Sequence, residues 1–430
     1  MSGPVLARRL GTADAVLIGL GSMLGAGVFV AFAPAARAAG AALLLGLALA
    51  AVVAYCNATA SAQLAAQYPA AGGTYVYGRE RLGPWWGFLA GWAFVIGKTA
   101  SCAAMALAFA SYAVPPDWRR PAAVAAVLAL TAVNYRGITR TAGLTKLLVG
   151  VVVVVLAVTV GAGLAGGRPD VGRLTEGVDA GWYGVLQSAG LLFFAFAGYA
   201  RIATLGEEVR DPGRTIPRAV PLALGIAVAV YTAVAVMLLL VLGSGPLGAT
   251  TAPLAAAVEA AGADWAQPVV RVGAAAATLG ALLALVAGVG RTSLAMAREG
   301  DLPRVLAAVH PRFRVPHHAE LALAAVVCGL VLVVDLADAI GFSSFGVLLY
   351  YLVANLAAFT QPAEHRRWPR ALQVLGAVGC LVLAATLLWQ AVVTGILVLA
   401  AGVALRALRL RRSGGRRPGG PAAGGPDSRG

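Results

Sequence analysis

The chain has 430 residues, 60% of them hydrophobic and 12% charged, with a mean hydropathy of +0.82. A soluble domain carries about 25% charged residues, so composition excludes one of this size and leaves a polytopic helical membrane protein. The net charge of +15 would suit a nucleic-acid partner, but its distribution along the chain excludes that too.

Crossing the hydrocarbon core takes ~20 apolar residues. Runs of that kind give twelve spans, at 13–36, 41–66, 84–113, 121–136, 142–166, 183–206, 217–243, 267–296, 319–335, 339–360, 370–388 and 390–409. The last two meet at Trp389 and Gln390 in a tight hairpin. With the N-terminus inside, 26 of the 33 lysines and arginines fall on inner loops and tails, six on the outer side and Lys98 within a span. That bias predicts both termini in the cytoplasm and a cytoplasmic-membrane location. Arg8 and Arg9, an apolar run and small residues near Ala38 also fit a cleaved secretory signal. Asp14 interrupts that run, and cleavage would invert the charge pattern, so the segment reads as the first span.

Within the first span, GLGSMLGAGVF (19–29) holds Gly19, Gly21, Gly25 and Gly27. Each costs a helix roughly 1 kcal/mol relative to alanine. One explanation is close helix packing by small residues. The other is a break whose free amides and carbonyls are satisfied in a polar cavity, because unwound backbone survives at that depth only there. The helix resuming near Gly27 would then present its positive end to an anion.

The chain uses arginine 31 times and lysine twice, at Lys98 and Lys146. Arginine stays charged, whereas a desolvated lysine can lose its proton. Lys98 shares a face of the third span with Gly91, Phe94, Cys102 and Met105, and no acid lies at its depth: Asp14, Glu80, Glu207 and Glu208 belong to the inner side. A buried charge costs at least ~3 kcal/mol. Lys98 therefore partners an anionic group of a bound molecule, carries a proton, or hydrogen-bonds carbonyls in a cavity. Lys146, at the inner end of the fifth span, is either a proton carrier or a lysine that snorkels to the surface.

The sixth span, in LLFFAFAGYARIATLGEEVRDPGRTIPRAV (191–220), carries Gly198 at mid-depth among Phe193, Phe194, Phe196 and Tyr199. The first and sixth spans are thus interrupted at matching places in two five-helix halves. Paired discontinuous helices of this kind mark the binding site of a transporter. Arg201, Glu207 and Glu208 follow at the inner end as gate candidates, with surface pairs worth only ~0–1 kcal/mol each.

Cys56, Cys102, Cys328 and Cys380 lie in four different spans without metal-ligand spacing, and His310, His317, His318 and His365 lie in inner loops. No metal, cofactor or membrane-embedded enzyme chemistry is expected from these positions. The tail RRSGGRRPGGPAAGGPDSRG (411–430) has no apolar face and is expected to be disordered, its arginines near anionic membrane lipid.

These motifs resemble the amino acid–polyamine–organocation superfamily. The match runs through GSMLGAGVF (21–29), YPAAGGTYVYGRERLGPWWGFLAGW (68–92), FFAFAGY (193–199), EEVRDPGRTIPR (207–218) and RTSLAMAREGDLPRVLAAVHPRF (291–313). The resemblance implies a leucine-transporter-like 5+5 inverted repeat with broken helices 1 and 6, and alternating access around an amino acid site. Its domain plan is an N-tail at 1–10, a core at 11–360 with repeats at 11–166 and 183–360, peripheral helices at 369–409 and a tail at 410–430. By carry-over, the substrate carboxylate meets amides of Gly21, Ser22, Met23, Leu24, Gly25, Ala26 and Gly27. The amino group meets carbonyls of Ala195, Phe196, Ala197 and Gly198, and Phe196 or Tyr199 covers the site, with Phe193 nearby. Lys146 matches a lysine that replaces a sodium ion in proton-coupled relatives. Many relatives have an acid after the Gly-aromatic pair, where this chain has Ala200 and Arg201. That departure disfavours cationic substrates and favours a neutral or anionic amino acid. Proton symport, exchange, and a nontransporting sensor of the same fold stay open, as does the oligomeric state.

Overall fold

The computed structural model describes residues 10–69, 72–137, 142–166, 169–177, 180–203 and 208–414. Glu207, the first nine residues and the tail beyond 414 lie outside them. The described chain is helical throughout: α1 (Thr12–Met23), α2 (Ala26–Val30), α3 (Phe32–Ala39), α4 (Leu43–Gln67), α5 (Thr74–Leu82), α6 (Pro84–Ala113), α7 (Arg119–Tyr135), α8 (Ala142–Gly166), α9 (Gly181–Phe196) and α10 (Ala200–Ala203). There follow α11 (Pro212–Leu242), α12 (Ser244–Ala249), α13 (Pro253–Ala260), α14 (Gln267–Arg298), α15 (His317–Val333), α16 (Leu336–Phe359), α17 (Arg370–Ala385) and α18 (Trp389–Gly414). Among the described residues eight segments are long and apolar enough to cross a membrane, and α9, α15 and α17 are shorter apolar helices.

Helix boundaries follow local chemistry. Gly83 and Gly243, with φ of 104° and 74°, end α5 and α11 in a region that side chains avoid. Pro84, Pro212 and Pro253 open α6, α11 and α13, where the missing N–H has no partner to lose. The Asp14 carboxylate accepts the Gly11 N–H at 2.9 Å and fixes the start of α1.

The first span has one real interruption. Leu24 leaves the α1 helix with ψ 30° and Gly25 follows with ψ −144°. The join between α2 and α3 is continuous, because Ala31 is helical and Ala35 N–H reaches the Ala31 carbonyl at 3.3 Å. In the sixth span the interruption covers Ala197–Tyr199, between α9 and α10.

Helix α6 packs between α14 and α16. Small residues allow that approach: a Cβ built on Gly346 would stand 2.7 Å from Gly97 Cα. Asp301, which is 5% exposed, ties α5 to α18 near the start of α6. Its carboxylate pairs with Arg79 at 3.2 Å and Arg406 at 3.0 Å and accepts the Tyr75 hydroxyl at 2.9 Å. Arg406 also lies over Trp85 and Phe88, which ties α18 to the core. Cys56, Cys102, Cys328 and Cys380 are free thiols.

Candidate functional site

The two interruptions pack directly against each other. A Cβ built on Gly198 would overlap the Ser22 carbonyl and stand 2.6 Å from the Met23 nitrogen. A Cβ on Gly27 would stand 2.5 Å from Ala195 Cα, and one on Gly25 3.1 Å from Ala281 Cβ of α14. Glycine is thus required at the contact by space, with no φ argument needed. Gly21 faces α8 instead, where a Cβ would meet Val149 at 2.8 Å.

Exposed backbone at the two breaks is partly satisfied by side chains from three other helices. The Tyr231 hydroxyl of α11 lies 2.6 Å from the Met23 carbonyl oxygen and 2.9 Å from that of Ala195. One phenol therefore bridges both breaks. The Ala197 carbonyl receives the Lys98 amine at 3.5 Å and the Tyr351 hydroxyl at 3.3 Å. Tyr112 donates to the Phe29 carbonyl at 2.7 Å and accepts the Leu254 N–H at 3.3 Å. The Ser22 hydroxyl returns to the Ile18 carbonyl at 3.1 Å. Leaving such groups unpaired in a low-dielectric interior costs ~1–3 kcal/mol each.

Aromatic rings wall the site. Tyr199 stacks on Tyr351 with centroids 4.9 Å apart, Phe193 meets Tyr351 edge-on at 5.9 Å, and Phe196 meets Tyr231 at 5.0 Å. Met23, Leu24, Ala26, Phe193, Ala195, Phe196, Ala197 and Tyr199 are buried. Lys98 is 8% exposed, and no ion pair among the described residues includes it. Its amine therefore meets the sixth-span break with no acid paired to it among the described residues.

The remaining candidates lie near the start of α1 and the end of the sixth span. Lys146 forms an ion pair with Asp14 on the first turn of α1, not with the backbone of the break. Beside the break, α8 contributes Leu148, Val149 and Val152 to a void of about 10 Å³ shared with Gly21, Leu24 and Ala277. Arg201 is exposed on α10. The Glu208 carbonyl accepts the Leu10 N–H at 3.1 Å, and the Arg210 N–H returns to the Leu10 carbonyl at 2.9 Å. The loop after the sixth span thus clasps the entrance to α1.

At the other end of these helices a cavity of about 750 Å³ is lined by Val30, Arg37, Asp117, Leu191, Asp335 and Asp338, among others. Val30 and Leu191 belong to the same helices as the breaks.

Tyr231, Tyr351 and Tyr112 were not marked by the sequence reading. A hydroxyl-bearing aromatic inside an otherwise apolar span is the signal, since a buried phenol needs a partner.

Apolar segments long enough to cross a membrane and two interrupted helices describe a multi-pass membrane protein, and the proteins it is similar to are transporters rather than enzymes. The chain belongs to the amino acid permease family, whose model matches residues 14–409. It is 61% identical over 404 residues to an uncharacterized transporter of Mycobacterium tuberculosis, covering 94% of this chain and 92% of that protein. It is 31% identical to the human cationic amino acid transporter 4, over 80% of this chain and 58% of that protein. The branched-chain amino acid permease BcaP of Bacillus subtilis is 24% identical, over 95% and 94% of the two chains.

Proposed function

We propose that this permease is a secondary active transporter that moves amino acids across the cytoplasmic membrane by alternating access. The proposal assigns twelve spans in two inverted five-helix repeats, two peripheral helices and cytoplasmic termini. The observation that carries it is the meeting of the two breaks at Gly27–Ala195 and Ser22–Gly198, with Lys98 at the Ala197 carbonyl. The substrate carboxylate takes the amides of Gly25, Ala26 and Gly27, which open a helix and have no intrahelical acceptor. The amino group takes carbonyls of the sixth-span break, displacing the Lys98 or Tyr351 contact to Ala197.

Substrates are neutral or anionic. Lys98 has no counter-acid, Ala200 stands where an acid would attract a cation, and a second cation at the site would be repelled. The name of the human relative points to cationic cargo for that protein; the charge pattern here argues against it for this one. With the inner face set by charge bias, the cavity of about 750 Å³ is the outer vestibule.

Coupling is to protons, through Lys146. Its pair with Asp14 binds α8 to α1, so a change in the charge of either residue alters the hold on the helix that must move. An exchange mode without proton coupling is the second reading, favoured if that pair is only a tether.

Uptake of labelled amino acids into proteoliposomes, with and without an imposed pH gradient, tests the proposal. Accumulation driven by an inward proton gradient supports it. No substrate-dependent flux across a broad amino acid panel contradicts it.

A further inference from the structure

Glu320 lies in the first turn of α15, 2% exposed, and its Oε2 has no hydrogen-bond partner. Its side chain packs on α14: a Cβ built on Gly290 would stand 3.0 Å from Glu320 Cγ and 3.6 Å from Oε1. None of the ion pairs among the described residues includes it. An ionised carboxylate withdrawn from water without a partner is one of the costliest groups to bury. No apolar packing role explains a carboxyl there, since a leucine or methionine would fill the space without that cost.

The elements packed against α15 are α6, α7, α14 and the turn Arg304–Ala307. Helix α14 contributes Arg291, an exposed residue whose charge acts on Glu320. Helix α7 contributes Tyr135, which faces the rings of His310 at 5.3 Å and His317 at 6.1 Å. Helix α6 directs its Lys98 to Ala197 instead. The turn carries exposed Arg304, and its Val305 carbonyl meets His318 Nδ1 at 3.0 Å. Arg291 is thus the charge that adjoins the Gly290 seat of Glu320.

We propose that Glu320 is a proton-binding site whose charge state sets how α15 packs on α14 beside Arg291. With the proton on its carboxyl, Glu320 is neutral and sits on Gly290 without an unpaired charge. Release of that proton leaves a carboxylate that draws Arg291 toward α15 and shifts the contact between the two helices. The link to transport rests on the proton-coupled reading above; the presence of the proton does not.

The test uses the full chain reconstituted in liposomes, with infrared spectra recorded across a pH series and uptake measured on the same preparations. The wild type should show a protonated-carboxyl band that disappears as pH rises and is lost in Glu320→Gln. That variant should lose the part of the pH dependence of uptake that follows the band, since its neutral amide mimics one state, and keep the part carried by Lys146. Arg291→Gln, a surface change that threatens no packing, should move the disappearance of the band to higher pH. A wild-type spectrum without the band, or the same band in Glu320→Gln, overturns the site. An unchanged uptake profile in Glu320→Gln overturns its part in transport, and an unmoved titration in Arg291→Gln overturns the part given to Arg291. If the wild type moves no amino acid the transport reading falls, and the infrared series still decides whether Glu320 holds a proton.

Discussion

Gly27 and Ala195 approach so closely that a Cβ on the glycine would stand 2.5 Å from the Ala195 Cα. This contact joins the resumed half of the first span to the last turn of α9. Gly27→Ala must push the two apart, and overpacking of this kind costs ~1–3 kcal/mol. The variant should unfold at a lower temperature and lose amino acid uptake. Gly150→Ala is the control, because no heavy atom lies within 4 Å of its added Cβ; it should retain both.

Tyr231→Phe removes the hydroxyl shared by the Met23 and Ala195 carbonyls and keeps the ring against Phe196. Stability should fall by ~1–3 kcal/mol for the carbonyls left unpaired. The apparent affinity for amino acids should weaken as the breaks lose their shared tether. Thermal unfolding and concentration-dependent uptake check the two effects separately.

Lys98→Met keeps length and removes the amine beside the Ala197 carbonyl. A charged hydrogen bond is worth ~1.5–3 kcal/mol, so uptake of an anionic substrate, whose side group takes the displaced amine, should weaken by roughly tenfold or more, and that of a neutral one by less. Lys98→Arg should not rescue it, because a guanidinium is larger and never sheds its charge. Equal uptake in Lys98→Met and wild type would remove Lys98 from the site.

Lys146→Ala breaks the pair with Asp14. Counterflow exchange should survive, while accumulation driven by a pH gradient should fail. Loss of both would make the pair a structural tether, and retention of both would place coupling elsewhere.

Asp301→Asn removes the charge shared by Arg79 and Arg406, each buried or half-buried against it. Breaking a buried pair by changing one partner costs ~3–5 kcal/mol. The protein should lose thermal stability, and α18, held by Arg406, should become more accessible to protease. Uptake by the surviving folded fraction should be unaltered, since none of these residues approaches the breaks.

Much of this site was legible because glycine is informative at membrane depth. The runs at Gly21–Gly27 and around Gly198 marked both interruptions to within a few residues, since a helix so weakened needs a reason. Which glycines open the helix and which make contact was not legible: Gly21 faces α8, whereas Gly27 and Gly198 face the partner break. That depends on rotation about an axis which the break itself resets. Asp14 and Lys146 stood out singly, but their pairing joins α1 to α8 across a long stretch of chain that no helical period relates. Tyr231 and Tyr351 carry no such mark, because an isolated phenol looks like packing until its hydroxyl has a partner. Nothing in the sequence sets Glu320 apart: it stands at the very start of its span, where helix ends are ordinarily solvated, yet it is 2% exposed.

The most direct test is the thermal unfolding of the purified protein in the presence of each proteinogenic amino acid, its amide and its decarboxylated amine. A ligand bound to the folded state raises stability by RT ln(1 + [L]/Kd), about 2.7 kcal/mol at a hundredfold excess over Kd. If main-chain groups of the two breaks hold both ends of a zwitterion, a subset of neutral or anionic amino acids should stabilise the protein and their amides and amines should not. Stabilisation by none of them, or equally by molecules lacking the carboxylate, would contradict it.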